Sequence, residues 1–451
     1  MSRPPFAALI LAAGQGTRMK SELHKVLHPI AGRPMLLHLL ASVDTLSPAA
    51  RIAVVGARRE QVEKAVAGQG VEVVVQEPQL GTGHAVQQAE AALKGFDGDV
   101  LILYGDVPLV PPATMARMLD RLHAPDAPVA VVLGFRPDDA LAYGRIIADG
   151  TGRIDKMVEF KDASIEERSC DLCNSGLMAV RAADLWALLR RVGNDNAAGE
   201  YYLPDIVMLA KADGRMSAVV ETDAAEVAGI NSRAELAAVE AQWQRMRRAR
   251  AMADGASLIA PETVWFSFDT QIGRDVVVEP NVFFGPGVTV ADQVTIRAFS
   301  HIEGATISAG AEIGPFARLR PGAEIGRKAK VGNFVEVKKA VLGEGAKANH
   351  LSYIGDAEVG AGANIGAGTI TCNYDGFFKY RTEIGAGAFI GSNSALVAPV
   401  RIGAGVIVGA GSVVTADVEA DALVLARGQQ QAKPGWAARF RAIMTAKKKA
   451  G

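Results

Sequence analysis

Apolar side chains recur at every sixth position through the second half of the chain. The positions of this register are Ile272, Val278, Phe284, Val290, Ile296, Ile302, Ile307, Ile313, Leu319, Ile325, Val331 and Val337, and then Ile384, Ile390, Leu396, Ile402, Val408 and Val414. A period of six fits neither a helix of 3.6 residues per turn nor the two-residue alternation of a strand. It is typical of a parallel β-helix, in which each short side of a coil places one apolar residue in a central stack. The pattern therefore predicts a β-solenoid.

The places where the register fails predict where a site lies. The register slips by one residue between Ile302 and Ile307, slips again between Val337 and Leu342, and breaks across residues 371–383. A solenoid accommodates an insertion as a loop that projects from a corner, and such loops often form binding surfaces. The polar residues beside these breaks are Arg320, Lys338, His350, Tyr353, Asn364, Asn373 and Tyr374. We therefore expect a site on the outside of the solenoid.

The first half of the chain, to about residue 230, alternates apolar strands with helical stretches. The predicted strands cover residues 7–11, 52–55, 71–75, 100–103 and 129–133. Nearly continuous apolar strands are typical of a parallel sheet that helices cover on both faces. The pattern predicts an α/β domain of the Rossmann-like class, whose ligands bind beyond the carboxyl ends of the strands.

The joint between the two halves has the pattern of one helix. Ser232 with Glu235 forms a capping box, and Asp254-Gly255 marks the end of the helix. The apolar stripe between them consists of Leu236, Val239, Trp243 and Met246. We expect a linker helix at 231–254 between a first domain at 1–230 and a second at 255–451; the alternative is that it is the last helix of the first domain.

Composition narrows the class of protein. The chain has 451 residues, 49% of them hydrophobic, and a formal net charge of −1, so we expect a globular protein that binds no nucleic acid. Three cysteines argue against a disulfide framework and against a zinc site, and favour a reducing cytoplasm. Neither a secretion signal nor a membrane span is expected, and the run at 447–449 is interpreted as a solvated tail.

A glycine loop follows the first predicted strand. Gly14 and Gly16 let the backbone approach a phosphate closely, and Arg18 and Lys25 supply positive charge suited to a triphosphate. The third glycine of a dinucleotide fingerprint and the Gly-Lys-Ser/Thr of a P-loop are both absent from this stretch. An ordinary cap and turn remains an equal alternative for the loop alone.

Asp106 follows another buried strand. A carboxylate at that edge is placed to hold a divalent cation, although in isolation such a residue is more often a helix cap. Gln76 and the segment at 81–83 follow a third strand and offer polar groups that can bind a base edge. Because all three segments end at one edge of the predicted sheet, a nucleotide site is favoured there.

The motifs together resemble a known family over nearly the whole chain. They are LAAGQGTRM (11–19), HKVLH (24–28), QLGTGHA (79–85), YGDVPL (104–109), GEYYLPD (199–205), GIN (229–231), RLRPGAEIG (318–326), GNFVEVKKA (332–340) and NIGAGTITCNYDG (364–376), with the region of Arg427. The chain resembles the bifunctional N-acetylglucosamine-1-phosphate uridylyltransferase/glucosamine-1-phosphate acetyltransferase family, called GlmU. Each motif alone is weak evidence, whereas the collinear set is specific.

The resemblance implies a uridylyltransferase site in the first domain. The residues that would hold the uridine nucleotide are Leu11, Ala12, Ala13, Gly14, Lys25, Gln76, Gly81, Thr82, Tyr104 and Gly105. The amino sugar would contact Gly144, Glu159 and Asn174, and Mg²⁺ would be held by Asp106 and Asn231. The implied reaction is attack of a sugar 1-phosphate on the α-phosphorus of UTP, with Arg18 and Lys25 neutralising charge.

The resemblance implies an acetyltransferase site in the second domain, with His350 as general base for acetyl transfer from acetyl-CoA. Glucosamine 1-phosphate would be held by Arg320, Lys338, Tyr353 and Asn364. Acetyl-CoA would contact Ala367, Asn373, Tyr374, Ser392, Ala410 and Arg427. The family's β-helix is left-handed and forms trimers with acetyltransferase sites between subunits, so a homotrimer is expected.

The sequence departs from the family pattern at Gln15, Ser175 and Pro204, and we expect altered kinetics rather than lost activity. Two rival functions stay open. In one, the chain is a nucleotidyltransferase whose solenoid only assembles or regulates. In the other, it is a non-catalytic scaffold with a decayed first site.

Overall fold

The computed structural model describes residues 3–14, 16–140 and 143–450. The chain divides into two compact units, and the division falls between Arg247 and Arg248. Within the described ranges, no helix combines the length and apolar content that crossing a membrane requires.

The first unit is built on one mixed β-sheet. Its strands among the described residues are β1 (Phe6–Ala12), β2 (Ala50–Val55), β3 (Glu72–Val75), β4 (Asp99–Tyr104), β5 (Ala130–Phe135), β6 (Arg145–Ala148), β7 (Ile154–Val158), β8 (Cys173–Arg181) and β9 (Ala218–Thr222). The order is β9-β5-β8-β4-β1-β2-β3, and β6 pairs with β8 and β7. The pairs are parallel except that β8 runs antiparallel to β4, β5 and β6, and β6 runs antiparallel to β7. The five predicted strands are confirmed as β1 to β5; the antiparallel β8 was not predicted.

Helices cover both faces of this sheet. The helices of this unit are α1 (Met35–Asp44), α2 (Arg59–Val66), α3 (Thr82–Gln87), α4 (Pro112–Leu122), α5 (Ile165–Arg168), α6 (Ala182–Leu189) and α7 (Asp205–Ala212), with 3₁₀ turns at Thr17–Met19, Lys25–Leu27 and Ala224–Val227. Helix α8 (Arg233–Ala253) follows them and crosses the division between the two units. Neighbouring strand residues point to opposite faces, so Leu9 and Ile102 join one core and Ile10 and Leu101 the other. Both faces are apolar because both are buried, which explains the unbroken apolar strands. A short hairpin, Pro29–Ile30 with Arg33–Pro34, stands apart from the sheet.

The start of α8 has the predicted capping box. Ser232 Oγ accepts a hydrogen bond from the Glu235 amide at 3.3 Å, and the Glu235 carboxylate accepts one from the Ser232 amide at 2.7 Å. Along the helix, Val239 is buried in a small core with Ile30 and Met35. These contacts bury the first part of the helical stripe within the first unit.

The second unit is a three-sided parallel β-helix, which confirms the predicted solenoid. One side contains Ser257–Leu258, Val277–Val278, Thr295–Ile296, Glu312–Ile313, Lys330–Asn333, Lys347–His350, Asn364–Ile365, Phe389–Ile390, Ile407–Val408 and Leu423–Val424. A second side contains Phe283–Phe284, His301–Ile302, Arg318–Leu319, Ile370–Cys372, Ala395–Val397 and Val413–Val414. The third contains Gln271–Ile272, Thr289–Val290, Ala305–Ile307, Ala323–Ile325, Thr382–Ile384 and Val400–Ile402. Two longer strands, Glu336–Leu342 and Tyr353–Val359, pass from the second side to the third.

The six-residue register forms the core of this β-helix. Its members are buried except Ile272, which is half-buried in the first coil. Between Val337 and Ile384 the stack continues through Leu342, Ala348, Ile354, Val359, Ile365 and Thr371, all of them buried. The predicted break at 371–383 is therefore shorter than the sequence indicated, because Thr371 still occupies an inward position. The projecting loop covers residues 373–381, where Tyr374 and Lys379 are bridged.

A 3₁₀ turn at Pro261–Thr263 lies near the start of this unit, and helix α9 (Trp436–Ala450) lies at its end. The described residues of α9 are exposed throughout. The lysine run at 447–449 belongs to this helix, so it is solvated as predicted but helical.

Candidate functional sites

A cleft of about 1020 Å³ opens at the carboxyl ends of the parallel strands in the first unit. The predicted residues that line it are Leu11, Ala12, Ala13, Gly14, Lys25, Gln76, Gly81, Thr82, Tyr104 and Asp106. The loops that follow β1, β3 and β4 meet at one edge because parallel strands end there together. The cleft is the position at which an open α/β sheet binds its ligand.

Lys25 joins the two residues predicted to hold a metal. Its ammonium donates to Asn231 Oδ1 at 2.6 Å and to the Asp106 carboxylate. The side chains of Lys25 and Asp106 are 10% and 22% exposed, so the three groups interact in a partly desolvated place. The Ile230 amide donates to the Asp106 carbonyl at 2.9 Å, which fixes the segment before Asn231 against the end of β4.

One wall of the cleft carries groups suited to a planar ligand. Gln76 is buried, and its Nε2 donates to the Gly81 carbonyl at 2.9 Å and contacts His84 Nδ1 at 3.2 Å. Gly81 has φ of +109°, and a Cβ there would lie 2.6 Å from the Tyr201 carbonyl oxygen. Only glycine fits this backbone position. The Tyr201 backbone, which the sequence did not single out beyond its motif, therefore packs directly against Gly81.

The predicted sugar-binding residues lie beside Tyr104. Asn174 Oδ1 accepts a hydrogen bond from the Gly176 amide at 2.9 Å, and the Asn174 amide donates to the Gly144 carbonyl at 2.9 Å. Burial raises the pKa of Glu159, and the charges of Asp162, Asp205 and Glu200 raise it further. Burial also raises the pKa of the Tyr104 phenol, followed by the charges of Glu159 and Asp106. The structure therefore places Glu159 near the end of β4 that carries Asp106.

Arg18 lies on the 3₁₀ turn after the glycine loop and is exposed. Burial tends to raise the pKa of Glu235, but hydrogen bonds from the Asn231 and Ser232 amides and the Arg18 charge hold it below its usual value. The capping carboxylate of α8 therefore interacts electrostatically with one of the two predicted phosphate-binding cations.

The three departures from the family pattern have different outcomes. Gln15 lies outside the described residues. Ser175 Oγ donates to the Leu133 carbonyl at 2.7 Å and accepts from the Leu177 amide at 3.2 Å, so its hydroxyl is used within the bulge of β8. Pro204 precedes α7 with φ of −53°, a value that proline adopts without strain at the start of a helix.

His350 ends a short strand on the first side of the β-helix and is exposed. Its Nδ1 lies 2.7 Å from Oδ1 of Asn333, which occupies the paired position one coil earlier. An amide oxygen at this distance accepts the Nδ1 proton and leaves Nε2 as the free base of the ring. Asn333 lies in the motif at 332–340, but the sequence predicts no role for it, because its register with His350 becomes visible only in the stacked coils.

A cluster of positive charge lies on the neighbouring coils. Arg320 donates to the Glu336 carboxylate at 2.8 Å. The neighbouring Lys379 lowers the pKa of Lys338, followed by the loss of solvent around it and by the charge of Arg320. Two neighbouring ammonium groups repel one another unless an anion lies between them. The sequence did not identify Lys379, although it lies in the predicted break of the register.

The projecting loop positions two further predicted residues. Asn373 is 7% exposed and its Nδ2 donates to the Asp356 carboxylate, whereas Tyr374 is 59% exposed and its hydroxyl donates to the Gly376 carbonyl at 2.5 Å. Tyr353 lies on the coil after Glu336, in register with it. Asn364 pairs with Lys347 on the first side. Among the described residues, no hydrogen bond joins Asn364 to His350.

The remaining predicted residues lie on successive coils at one corner. The Asn393 amide donates to the Ala367 carbonyl at 2.8 Å, the Gly411 amide donates to the Ser392 carbonyl at 2.8 Å, and Arg427 donates to the Ala410 carbonyl at 2.6 Å. These bonds align Ala367, Ser392, Ala410 and Arg427 along the axis of the β-helix. The arrangement is an extended row.

Comparison with known families agrees with both units. Residues 8–154 match the model of the MobA-like NTP transferase domain, and residues 381–416 match six repeats of the bacterial transferase hexapeptide. The fold and the sites thus define a class: a two-domain transferase that combines a Rossmann-like nucleotidyltransferase unit with a left-handed hexapeptide β-helix.

Three relatives match over almost their entire lengths, and each is named bifunctional protein GlmU. The protein of Rhizorhabdus wittichii is 74% identical over 450 residues, which is 100% of both chains. That of Sphingopyxis alaskensis is 72% identical over 99% of this chain and 98% of its own. That of Zymomonas mobilis is 62% identical over 97% of this chain and 98% of its own. The chain belongs to the GlmU family of bifunctional transferases.

Proposed function

We propose that this enzyme performs two consecutive reactions of UDP-N-acetylglucosamine synthesis. The domain at 255–451 acetylates glucosamine 1-phosphate with acetyl-CoA, and the domain at 1–230 then joins the product to UMP from UTP. The helix at 231–254 links the two domains. Membership of the GlmU family and the two separate polar sites support this assignment.

In the first domain, a phosphate oxygen of N-acetylglucosamine 1-phosphate attacks the α-phosphorus of UTP. The bond to the β-phosphate breaks, and pyrophosphate leaves. The nucleophile is already anionic, so the protein's main task is positioning and charge neutralisation. Positive charge comes from Arg18 and Lys25. The nucleotide is held by the loop at 11–14 and by the wall of Gln76, Gly81 and Thr82. The sugar lies beside Tyr104 and Gly105 and is held by Gly144, Glu159 and Asn174.

The oxygens of Asp106 and Asn231 fit Mg²⁺. Both converge on one cation, the Lys25 ammonium, so their position already accepts positive charge. Proteins often hold Mg²⁺ through one or two side-chain oxygens together with substrate phosphates, and this pair of oxygens fits that pattern. When bound, Mg²⁺ would neutralise phosphate charge.

In the second domain, the amine of glucosamine 1-phosphate attacks the thioester carbonyl of acetyl-CoA. His350 Nε2 accepts the amine proton, a new amide bond forms, and the thiol of coenzyme A leaves after it is protonated. The hydrogen bond to Asn333 supports this role because it places the other ring proton on Nδ1. Arg320 and Lys338 bind the phosphate, with Lys379 as a structural neighbour, and Tyr353 and Asn364 contact the sugar.

The residues that we propose for acetyl-CoA lie in two separate places on one copy, which supports the proposed trimer. Ala367, Ser392, Ala410 and Arg427 form an open row, while Asn373 and Tyr374 lie on the projecting loop. An exposed ladder of stacked rings, Phe299, Phe316 and Phe334, offers an apolar surface to a further copy. Sedimentation of the full chain tests this proposal; a monomer with full acetyltransferase activity would contradict it.

We also assign the enzyme to the cytoplasm, in agreement with its three free cysteines, Cys170, Cys173 and Cys372.

The observation that carries the bifunctional assignment is the hydrogen bond between His350 and Asn333, because an assembly scaffold has no need of an oriented imidazole. The test supplies Mg²⁺, UTP, acetyl-CoA and glucosamine 1-phosphate in one tube and records free thiol and pyrophosphate together. Release of both, with pyrophosphate lagging behind thiol, is expected. Pyrophosphate that appears only with added N-acetylglucosamine 1-phosphate, without thiol, would reduce the solenoid to a scaffold.

A further inference from the structure

A segment without regular structure connects the two cations of the nucleotide site. Residues 20–24, here called the strap, run from the turn Thr17–Met19, which carries Arg18, to the turn Lys25–Leu27, which begins with Lys25. Backbone amides and carbonyls outside helices and sheets need other partners to be satisfied. The partners of the strap therefore decide how firmly the second cation is placed relative to the first.

Helix α2 supplies these partners. Gln61 Oε1 accepts a hydrogen bond from the His24 amide at 2.7 Å, and its Nε2 donates to the Glu22 carbonyl at 3.0 Å. One side-chain amide thus binds the strap on both sides of Leu23. Arg58, just before α2, donates to the Ser21 carbonyl at 2.7 Å and adds a third attachment.

The attachment continues from the strap to the reacting groups. His24 is 4% exposed and caps the turn of Lys25, since its Nδ1 accepts from the Val26 amide at 3.4 Å. Lys25, the next residue, donates to Asp106 and Asn231. Gln61 therefore holds the residue that starts this turn, and through it the direction of the Lys25 side chain.

The same part of the fold also borders the cleft. The loop before α2 and its first turn contribute Ala57, Arg58, Arg59 and Glu60 to the cleft lining, whereas Gln61 faces the strap instead. One short element thus forms a wall of the nucleotide site and fixes the strap. The start of α2 would therefore contact a bound ligand and also, through the strap, position Lys25.

We propose that Gln61 is a positioning residue for uridylyl transfer: it fixes the strap and thereby holds Lys25 beside Asp106 and Asn231, where its charge is available to the nucleotide phosphates. The inference rests on the proposed uridylyltransferase function of this cleft. Gln61 acts through Lys25 and has no role in acetyl transfer. A small displacement of a charge at a reacting centre costs one to two orders of magnitude in rate, so the effect is measurable.

The test compares Gln61→Ala, Gln61→Glu and Gln61→Asn with the control Gln69→Ala in the full-length enzyme. Gln69 is an exposed glutamine just after α2, and its side chain donates to the Ala65 carbonyl of that helix at 2.9 Å. We expect Gln61→Ala to lower kcat for pyrophosphate release by about tenfold and to leave thiol release unchanged. The control Gln69→Ala should release both products at the rates of the parent enzyme. Glutamate retains the acceptor for His24 but loses the donor to Glu22, so Gln61→Glu should fall between Gln61→Ala and the parent enzyme.

A double variant distinguishes a role of Gln61 in positioning Lys25 from a role in the general stability of the domain. In a Lys25→Ala background, Gln61→Ala should change the residual rate by less than about twofold, because residues that act through one group are not additive. Equal losses with and without Lys25, unchanged pyrophosphate release in Gln61→Ala, or a parallel loss of thiol release would each overturn the proposal. A parent enzyme that releases no pyrophosphate would instead contradict the proposed function itself.

Discussion

The two candidate sites assemble their residues at very different separations along the chain. In the first unit, Lys25 bonds to Asn231 across 206 positions. In the second unit, His350 bonds to Asn333 across 17 positions, one coil of the β-helix. The first site depends on the topology of a whole sheet, whereas the second depends on the repeat that stacks one coil on the next.

The difference extends to burial. The Lys25 and Asp106 side chains are mostly buried in a cleft, while His350 and Tyr374 are exposed on an open surface. A parallel sheet closes a cleft from its own loops, but a regular solenoid presents flat sides. A solenoid therefore forms rows of aligned groups readily and needs a projecting loop or another copy to enclose a substrate.

The largest expected effect is that of a substitution at Asp106, which should impair pyrophosphate release but not thiol release. Asp106→Asn retains the shape of the side chain but removes the charge beside Lys25, so pyrophosphate release should fall by about a thousandfold or more, equivalent to about 4 kcal/mol. Thiol release should not change. Asp126→Asn, which breaks the surface pair with Arg121, serves as control. Loss of both reactions in a folded Asp106→Asn enzyme would show that the sites are not independent.

The converse substitution is His350→Gln. Removal of a general base should lower thiol release by about 10²- to 10⁴-fold and leave pyrophosphate release intact when N-acetylglucosamine 1-phosphate is supplied. His301→Gln provides a control, since His301 is exposed on the same β-helix and stacks on Phe283 at 4.7 Å. Full acetyl transfer by His350→Gln would remove the imidazole from the mechanism.

The link between coils is tested at Asn333. Asn333→Leu removes the acceptor for His350 Nδ1, and we expect thiol release to fall by about 10- to 100-fold. Asn333→Asp preserves an acceptor oxygen and should recover most of that loss. Equal defects in both variants, measured at the same substrate concentrations, would show that packing rather than the hydrogen bond matters at this position.

The coil stack can be tested by two threonines that differ in their hydrogen bonds. Thr371 Oγ1 accepts from the Gly355 amide at 2.8 Å and donates to the Gly355 carbonyl at 3.0 Å. Thr382 is also fully buried, but its Oγ1 is without a partner among the described residues. Thr371→Val should therefore cost about 1–3 kcal/mol in the free energy of unfolding, whereas Thr382→Val should be neutral or stabilising. Denaturant titration distinguishes the two; equal destabilisation would contradict the assigned bonds.

The smallest expected effect concerns the cap of α8. Glu235→Ala should destabilise the protein by about 1 kcal/mol at neutral pH, since it removes an acceptor for two backbone amides. Because the pKa of Glu235 is lowered on folding, its contribution is present above the ordinary glutamate pKa and disappears as the pH falls through the lowered value. The difference between the parent and the variant should therefore shrink in acid; a constant difference would exclude the charge.

Individual elements show how far sequence reasoning reached. The strands β1 to β5 and the six-residue register followed from apolar patterning, because burial on both faces or in one stack leaves a direct imprint on residue type. The antiparallel β8 carried no such distinguishing signal. The continuation of the stack through Ala348 and Thr371 was missed because neither residue is large and apolar.

The candidate sites divide in the same way. Glycine loops, the carboxylate after β4 and the broken register marked the regions in which chemistry is placed, and the family resemblance named residues within them. Gln61, Asn333 and Lys379 carried no local signal, because an amide or ammonium group gains its role from the partner it meets. Those partners lie on other strands, helices or coils.

The sequence by itself determined the two architectures, their order along the chain and the edges at which functional groups gather, because burial periodicity and motif spacing are properties of the chain. Tertiary structure alone decided that Lys25 meets Asn231, that His350 meets Asn333 and that Gln61 fastens the strap. The physical reason is that hydrogen bonds and ion pairs act over a few ångströms, and distances of that size between remote residues are set only when sheets and coils pack.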